Sequence, residues 1–345
     1  MRLSVLDQSP ISAGQTGGDA LRNTLDLARL ADSLGYERYW VAEHHGTPML
    51  ACNAPEVLIG PIAAATERIR VGSGGVMLPH YSPLKVAEQF SMLAGLAPGR
   101  IDLGLGRAPG TDQLTMLALQ RDRNHMLRDD FAEQLTELLA YLEDRMPPDH
   151  PFARLARTLP GLPERPEPWL LGSSPQSAIW AGELGLPYSF ADFINPNGAA
   201  IAADYRSRFV DSERLAAPRL MIGVHALAAE TDAEAERLSA SAKMAFSLLR
   251  QGRLIEVPPV EEALRYLESR ERPAGGSGRR VIVGSPETVR TGIEAAAAEY
   301  GADEVMVVTI TYDHEARRRS YELIAAAFGL AGGTEAAAGT AADAG

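Results

Sequence analysis

The sequence predicts an α/β protein built as a (β/α)8 TIM barrel with inserted loops. Three observations point there. Short apolar runs alternate with amphipathic segments from end to end; the count comes to about eight of each; and 345 residues are enough for a large barrel in one unit. An open doubly wound sheet would show the same alternation, but eight strand-helix units favour closure into a ring.

The elements follow in order. Residues 3–6 read as a strand, and 20–34 as a helix with Leu21, Leu25, Ala28 and Ala31 on one face. Strand 38–42 (RYWVA) leads to a helix at 55–66, and strand 69–77, broken by glycines, to a helix at 84–97. In that helix Val86, Phe90, Leu93 and Ala97 repeat at helical spacing. Strand 101–105 precedes a helix at 126–143 striped by Phe131, Leu135, Leu138 and Leu142. The second half continues with strands 169–171, 188–191, 220–229 and 304–310. Its helices fall at 175–184, near 198–214, and at 231–250, 286–300 and 314–328.

Two segments break the rhythm. Residues 144–168 carry seven prolines, and 251–280 carry Pro258, Pro259, Pro273 and a glycine-rich run at 275–278. Both read as long loops, either active-site lids, with 144–168 the first candidate, or tolerated surface insertions. Residues 1–330 are therefore expected to form one barrel domain with insertions near 144–168 and 251–280. The Ala/Gly-rich stretch 331–345 is expected to be a disordered tail.

Composition narrows the function. The net charge of −12 repels phosphodiester backbones, which disfavours nucleic acid as a partner. The single cysteine, Cys52, cannot form an intrachain disulfide, which fits a reducing compartment. The N-terminal apolar run is short and cut by Asp7, so it reads neither as a signal peptide nor as a membrane span; a soluble cytoplasmic protein is the expectation. No Gly-Lys pair permits a Walker A loop, no G-x-S-x-G occurs, and His44 and His45 are adjacent rather than spaced for zinc. The tract GLGRAPG at 104–110 follows a strand but does not open a regular amphipathic helix, which argues against a dinucleotide fingerprint.

Four places can carry chemistry. At 172–177 (GSSPQS), Ser174 is positioned as an N-cap and Pro175 as the first helical residue. The helix start would then offer backbone N–H groups, a positive dipole end and the Ser177 hydroxyl to a phosphate. An ordinary cap, as at Ser82-Pro83 and Ser285-Pro286, explains the same pattern. The glycines of VGSGG (71–75) inside a strand call for a bulge, tight packing or the close approach of a flat ligand. Glu43-His44-His45 end a strand, where an imidazole can act as acid, base or hydrogen-bond donor, or simply pack in a loop. Arg107 ends another strand, where a buried guanidinium would hold an anion or pair with a neighbouring acid.

Taken together, WVAEHH (40–45), RIRVGSGGVMLPHYSPLKVAEQF (68–90), PGRIDLGLGRAPGTD (98–112) and GSPETV (284–289) resemble the bacterial luciferase-like family of flavin-dependent monooxygenases. The likeness runs from residue 3 to about 328 and is closest to the single-chain oxidoreductase branch. It implies FMN, or in some branches the deazaflavin F420, at the C-terminal ends of the strands. It implies a cis peptide at Gly74-Gly75, phosphate binding by Ser174 and Ser177 with Arg107 on the same side, and more weakly Ser173. It places His44 beside the flavin ring as the catalytic residue. The implied reaction joins reduced flavin to O2 as a C4a-hydroperoxide that passes one oxygen atom to a small, largely apolar organic substrate. The reduced flavin would come from a separate NAD(P)H-dependent flavin reductase, and relatives often pair as homodimers. Open alternatives are F420-dependent hydride transfer, a non-catalytic flavin-binding protein and a flavin-free phosphate-binding barrel.

Overall fold

A computed structural model describes residues 1–108, 111–119, 129–269 and 280–330. The expected tail at 331–345, the end of the GLGRAPG tract, the first residues of the helix expected from 126, and Pro273 with the glycine-rich run all lie outside the described residues.

The strands are β1 (Arg2–Asp7), β2 (Arg38–Val41), β3 (Arg70–Met77), β4 (Ile101–Gly106), β5 (Glu167–Gly172), β6 (Tyr188–Ala191), β7 (Leu220–Ala228), β8 (Val281–Gly284) and β9 (Glu304–Val308). The first-half helices are α1 (Gly17–Leu34), α2 (Pro55–Ala65), α3 (Pro83–Leu96), α4 (Gln113–Leu119), α5 (Phe131–Glu143) and α6 (Ala153–Ala156). They are followed by α7 (Pro175–Glu183), α8 (Ala199–Ser207), α9 (Asp232–Leu249), α10 (Val260–Glu268), α11 (Pro286–Tyr300) and α12 (His314–Phe328). All strand pairings are parallel, and β1 through β7 with β9 close into the eight-stranded ring of a TIM barrel. The short strand β8, which the sequence did not suggest, pairs outside the ring with the C-terminal half of β7.

Alternation along each strand divides the core in two. Leu3, Val5, Tyr39, Val41, Val71 and Leu103 point outward into the layer under the helices. Leu6, Trp40, Trp169, Met221 and Met306 form a separate cluster inside the ring. The strand register places Leu6 beside Trp40, Trp40 beside Gly72, Gly72 beside Asp102 and Gly104 beside Trp169. The two indoles meet edge to face, centroids 5.4 Å apart. Gly72 makes room for the Trp40 indole, and Gly104 lets β3 and β4 approach closely. A Cβ on Gly72 would lie 2.8 Å from Trp40 Nε1, and one on Gly104 would lie 2.1 Å from the Ser73 carbonyl oxygen.

Beneath the indoles the interior is ionic. Trp40 Nε1 and Arg38 Nη1 each donate to Asp102 Oδ2 at 2.8 Å, and Arg70 Nε donates to Asp102 Oδ1 at 2.9 Å. Arg38, 2% exposed, also bonds Glu304 at 3.1 Å. Burial works against its charge, but Asp102 and then Glu304 outweigh it and raise its pKa above the ordinary arginine value.

Four expectations change. The segment 144–168 joins the end of α5 to the start of β5, at the N-terminal face of the barrel, and so cannot roof the strand C-termini. It is packed there: Ala156 and Leu159 are buried, and Gly161 N donates to Ser91 Oγ at 2.9 Å. Residues 251–280 are not a plain loop, because α10 lays Ala263, Leu264 and Leu267 against Met244 and Leu248 of α9. Just before it, Val257 exchanges backbone hydrogen bonds with Ile11 and Ala13 (2.8 Å each), so this stretch borders the strand C-termini. The helix expected to 214 stops at Ser207, since the chain turns back and Val210 N bonds the Gly182 carbonyl at 2.9 Å. On α1 the buried stripe is Ala20, Thr24, Leu27, Ala28 and Ala31, displaced from the expected Leu21/Leu25 face. Thr24 sits there because its hydroxyl meets Ser9 Oγ at 2.8 Å, with its carbonyl 3.1 Å from Tyr39 Oη.

Gly104→Ala should lower stability by about 3 kcal/mol, because the added methyl meets a strand carbonyl that cannot step aside. Urea unfolding of wild type and variant checks this; an unchanged midpoint would contradict the packing described.

Candidate active site

The C-terminal mouth of the ring opens into a cavity of about 550 Å³, within the range of small-molecule sites. Leu6, Trp40 and Met306, the top of the barrel filling, line its base. His44, Gly74, Gly75, Arg107, Ser173, Ser174 and Ser177, scattered over 134 positions of chain, all line this one cavity.

The β2 end supplies the histidine. Glu43 is fully buried and acts as a tie: its carboxylate accepts from Met77 N at 2.9 Å, from Tyr81 Oη at 3.0 Å and pairs with His45 Nε2 at 2.7 Å. It thereby fixes the loop after β2 to the end of β3. His44 is held by backbone, its N–H on the Cys52 carbonyl at 3.0 Å and its carbonyl accepting from Asn53 at 2.5 Å. Its ring Nδ1 is buried and has no hydrogen-bond partner among the described residues. Burial, and secondarily the neighbouring His45, lower the His44 pKa to about 4, so the ring is neutral at pH 7.

On β3 the peptide between Gly74 and Gly75 is cis, and the pairing with β4 shifts register between Ser73 and Val76. Protein neighbours already crowd both positions. A Cβ on Gly74 would lie 2.5 Å from Leu6 Cδ1, and one on Gly75 would lie 2.7 Å from the Gly104 carbonyl oxygen. Bulge and tight packing therefore both occur, and the backbone they leave bare faces the cavity.

The β5–α7 turn supplies the helix start. Ser174 is the N-cap and Pro175 the first helical residue, with no side-chain cap bond, so the first-turn N–H groups are left for another acceptor. Ser177 is buried. Its hydroxyl donates to the Ser174 carbonyl at 2.8 Å and meets Tyr188 Oη at 2.9 Å, so its proton is already committed within the turn. Gly172 permits this, because a Cβ there would lie 2.1 Å from Ser177 Oγ. Asn195 Nδ2 donates to the Ser173 carbonyl at 3.1 Å.

Arg107 departs from the expected buried guanidinium. It is 46% exposed at the rim, 3.6 Å from Asp129 and 5.7 Å from the Trp180 ring centroid. Gln8, Phe131, Trp180 and Phe193 also line the cavity and were not singled out from sequence. Gln8 directly follows a barrel strand, a position where mouth residues belong, so the strand reading could have found it. Phe131 and Trp180 are stacked at 5.3 Å from two separate helices, and their stripe residues look like ordinary core.

A sequence model of the luciferase-like monooxygenase family matches residues 1–304. The chain is 43% identical to an Escherichia coli K12 luciferase-like monooxygenase, over 93% of this chain and 95% of that one. It is 39% identical to the Bacillus subtilis N-acetyl-S-alkylcysteine monooxygenase, over 94% and 97%. The crystal structure of apo-MsnO8 superimposes with a TM-score of 0.88 at 42% identity, covering 96% of this chain and 99% of that one. More distant structures share the fold alone. Among them are the oxygenating component of a Pseudomonas putida diketocamphane monooxygenase in complex with FMN (20% identity, TM-score 0.71) and an F420-dependent secondary alcohol dehydrogenase (14%, 0.66). The protein belongs to the luciferase-like monooxygenase family. No helix among the described residues is long and apolar enough to cross a membrane.

The His44 shift makes a prediction with a defined sign. The folded pKa lies below the unfolded value near 6.5, so the fold favours the neutral ring. Its contribution is present above pH 6.5 and is lost as pH falls toward 4, because the unfolded chain takes up the proton first. The stability loss between pH 7 and 5 should be smaller in His44→Gln than in wild type. Equal pH slopes in urea unfolding would show that the ring titrates normally.

Proposed function

We propose that the cavity binds FMN and that the reduced cofactor and O2 oxidise a small, largely apolar organic substrate there. One observation carries this reading: a single apolar cavity brings together an uncapped helix N-terminus, a bare glycine backbone and a buried neutral histidine. A flavin needs those features, namely donors for a phosphate, a flat surface for a ring, and a polar group beside it. The FMN complex among the fold relatives adds support.

In this reading, Ser173 and Ser174 and the backbone N–H groups of Gln176 and Ser177 hold the phosphate, with Arg107 supplying charge from the rim. The Ser177 hydroxyl acts indirectly, by bracing the turn through the Ser174 carbonyl. Gly74 and Gly75 form the surface against which the ring rests. When bound, reduced flavin supplies the two electrons by which one atom of O2 enters the substrate and the other leaves as water. His44 Nδ1 is the group free to hold a proton or accept a hydrogen bond at the reacting face. Phe131, Trp180, Phe193 and Met306 keep water from that face. A separate NAD(P)H-dependent flavin reductase supplies the reduced cofactor. The name of the Bacillus subtilis relative makes N-acetyl-S-alkylcysteines the first substrates to assay.

Titration of purified protein with oxidised and reduced FMN, FAD and F420 tests the cofactor; tighter F420 binding with oxygen-independent turnover would overturn the proposal. Ser174→Ala combined with Ser177→Ala should weaken FMN binding about tenfold while riboflavin, which lacks the phosphate, binds as before. His44→Ala should cut substrate oxidation about a hundredfold with reduced FMN still bound, the size expected for loss of a proton-handling group. Equal loss of binding and turnover would instead make His44 structural.

A further inference from the structure

The opposite end of the barrel holds a second cavity, of about 340 Å³, among the N-terminal ends of the strands. Its charged lining is Arg70, Arg165, Arg214, Arg219, Glu143 and Glu167. The cations outnumber their partners. Glu167 is shared by three guanidiniums: Arg38 at 3.4 Å, Arg70 at 3.3 Å, and Arg219. Glu143 serves Arg214 and, at 3.5 Å, Arg145, whose nearer partner is Glu213 at 2.7 Å. Even if Asp102 and Glu304 are assigned wholly to Arg38 and Arg70, the carboxylates that line the cavity with Arg165, Arg214 and Arg219 are, among the described residues, Glu143 and Glu167.

The donors are also unspent. Among the described residues Arg214 Nε, Arg214 Nη1 and Arg219 Nε are buried without a hydrogen-bond partner, against a single such acceptor at the cavity, Glu143 Oε1. Buried guanidinium N–H groups with no acceptor are costly, and three at one cavity require a cause. Arg219 is braced for such a task, its guanidinium lying 4.6 Å from the Trp169 ring centroid. A planar fork beside a cavity with excess positive charge is the geometry that takes a carboxylate or phosphate with two parallel hydrogen bonds. The N-terminal face of such a barrel is ordinarily concerned with stability alone, which does not account for unspent donors.

We infer that this basal cavity is a binding site for a small oxyanion, phosphate or carboxylate, held by Arg214 and Arg219 with Arg165 at the rim. It is separate from the mouth and independent of the flavin reading. Occupancy ties the α8–β7 link, which carries Arg214 and Arg219, to the start of β5 and so stabilises the closed ring.

Calorimetric titration with inorganic phosphate and with malonate, against chloride at matched ionic strength, tests this. Both oxyanions should bind and raise the unfolding temperature, whereas chloride should do neither. Tighter phosphate points to a phosphorylated ligand and tighter malonate to a dicarboxylate. Arg214→Gln should weaken binding about tenfold. Arg165→Gln, at an exposed position that cannot compromise folding, should weaken it several-fold and serves if Arg214→Gln does not fold. Ser174→Ala with Ser177→Ala should leave the basal site unchanged, which separates it from a phosphate at the mouth. Absence of oxyanion binding, or binding abolished by the serine changes and untouched by both arginine changes, would overturn the inference.

Discussion

One buried carboxylate organises the barrel. Asp102 accepts from the Trp40 indole, from Arg38 and from Arg70, and so binds β2, β3 and β4 at one level of the ring. A lone charge there would be very costly to bury; with three donors, two of them guanidiniums, the carboxylate is satisfied and its neighbours are locked in orientation. Trp40 then cannot tilt, its partner Trp169 fits edge to face, and Gly72 leaves the room that the Trp40 indole needs. The layer so formed is the base on which the mouth cavity stands.

A second buried ion pair does for the rim what Asp102 does for the interior. Asp7 ends β1 and accepts from Arg317 at 2.6 Å, from Tyr39 Oη at 2.5 Å and from Ser9 N at 2.6 Å. Burial would raise its pKa, but Arg317 and these hydrogen bonds outweigh that and hold it below the ordinary carboxylate value. The pair joins α12 to β2 and to the loop that carries Gln8. Together with the Glu43 tie between β2 and β3, it makes the histidine side of the mouth rigid. The α7 side is rigid for another reason, the Ser177–Ser174 and Ser177–Tyr188 bonds. Both sides of the cavity are thus held in place by side chains that do not themselves face a ligand with a free proton.

The two ends of the ring differ in what they leave unspent. At the mouth it is helix N–H groups and one imidazole nitrogen, set in apolar walls. At the base it is arginine N–H groups among too few carboxylates. A protein of net charge −12 therefore concentrates positive character at one concave site, where the overall charge gives no hint of it.

Strand-helix alternation was readable because it depends on local periodicity, and so was the placing of His44, Gly74, Gly75, Arg107, Ser173, Ser174 and Ser177 at or near the C-terminal ends of strands, where all of them line the mouth cavity. A residue just after a barrel strand lies at the mouth whatever else the chain does. What could not be read depends on partners distant in sequence. Arg38 looked like one more residue of an apolar strand until Asp102 and Glu304 came to face it. Phe131 and Trp180 looked like helix core until two helices met. The segment 144–168 looked like a lid because its prolines show only that it is irregular, while the end of the barrel it occupies follows from joining α5 to β5. Local spacing thus settles which segments are strands and helices and which residues stand at strand ends. Ring closure alone settles which charges meet, since it brings together groups that are hundreds of residues apart in the chain.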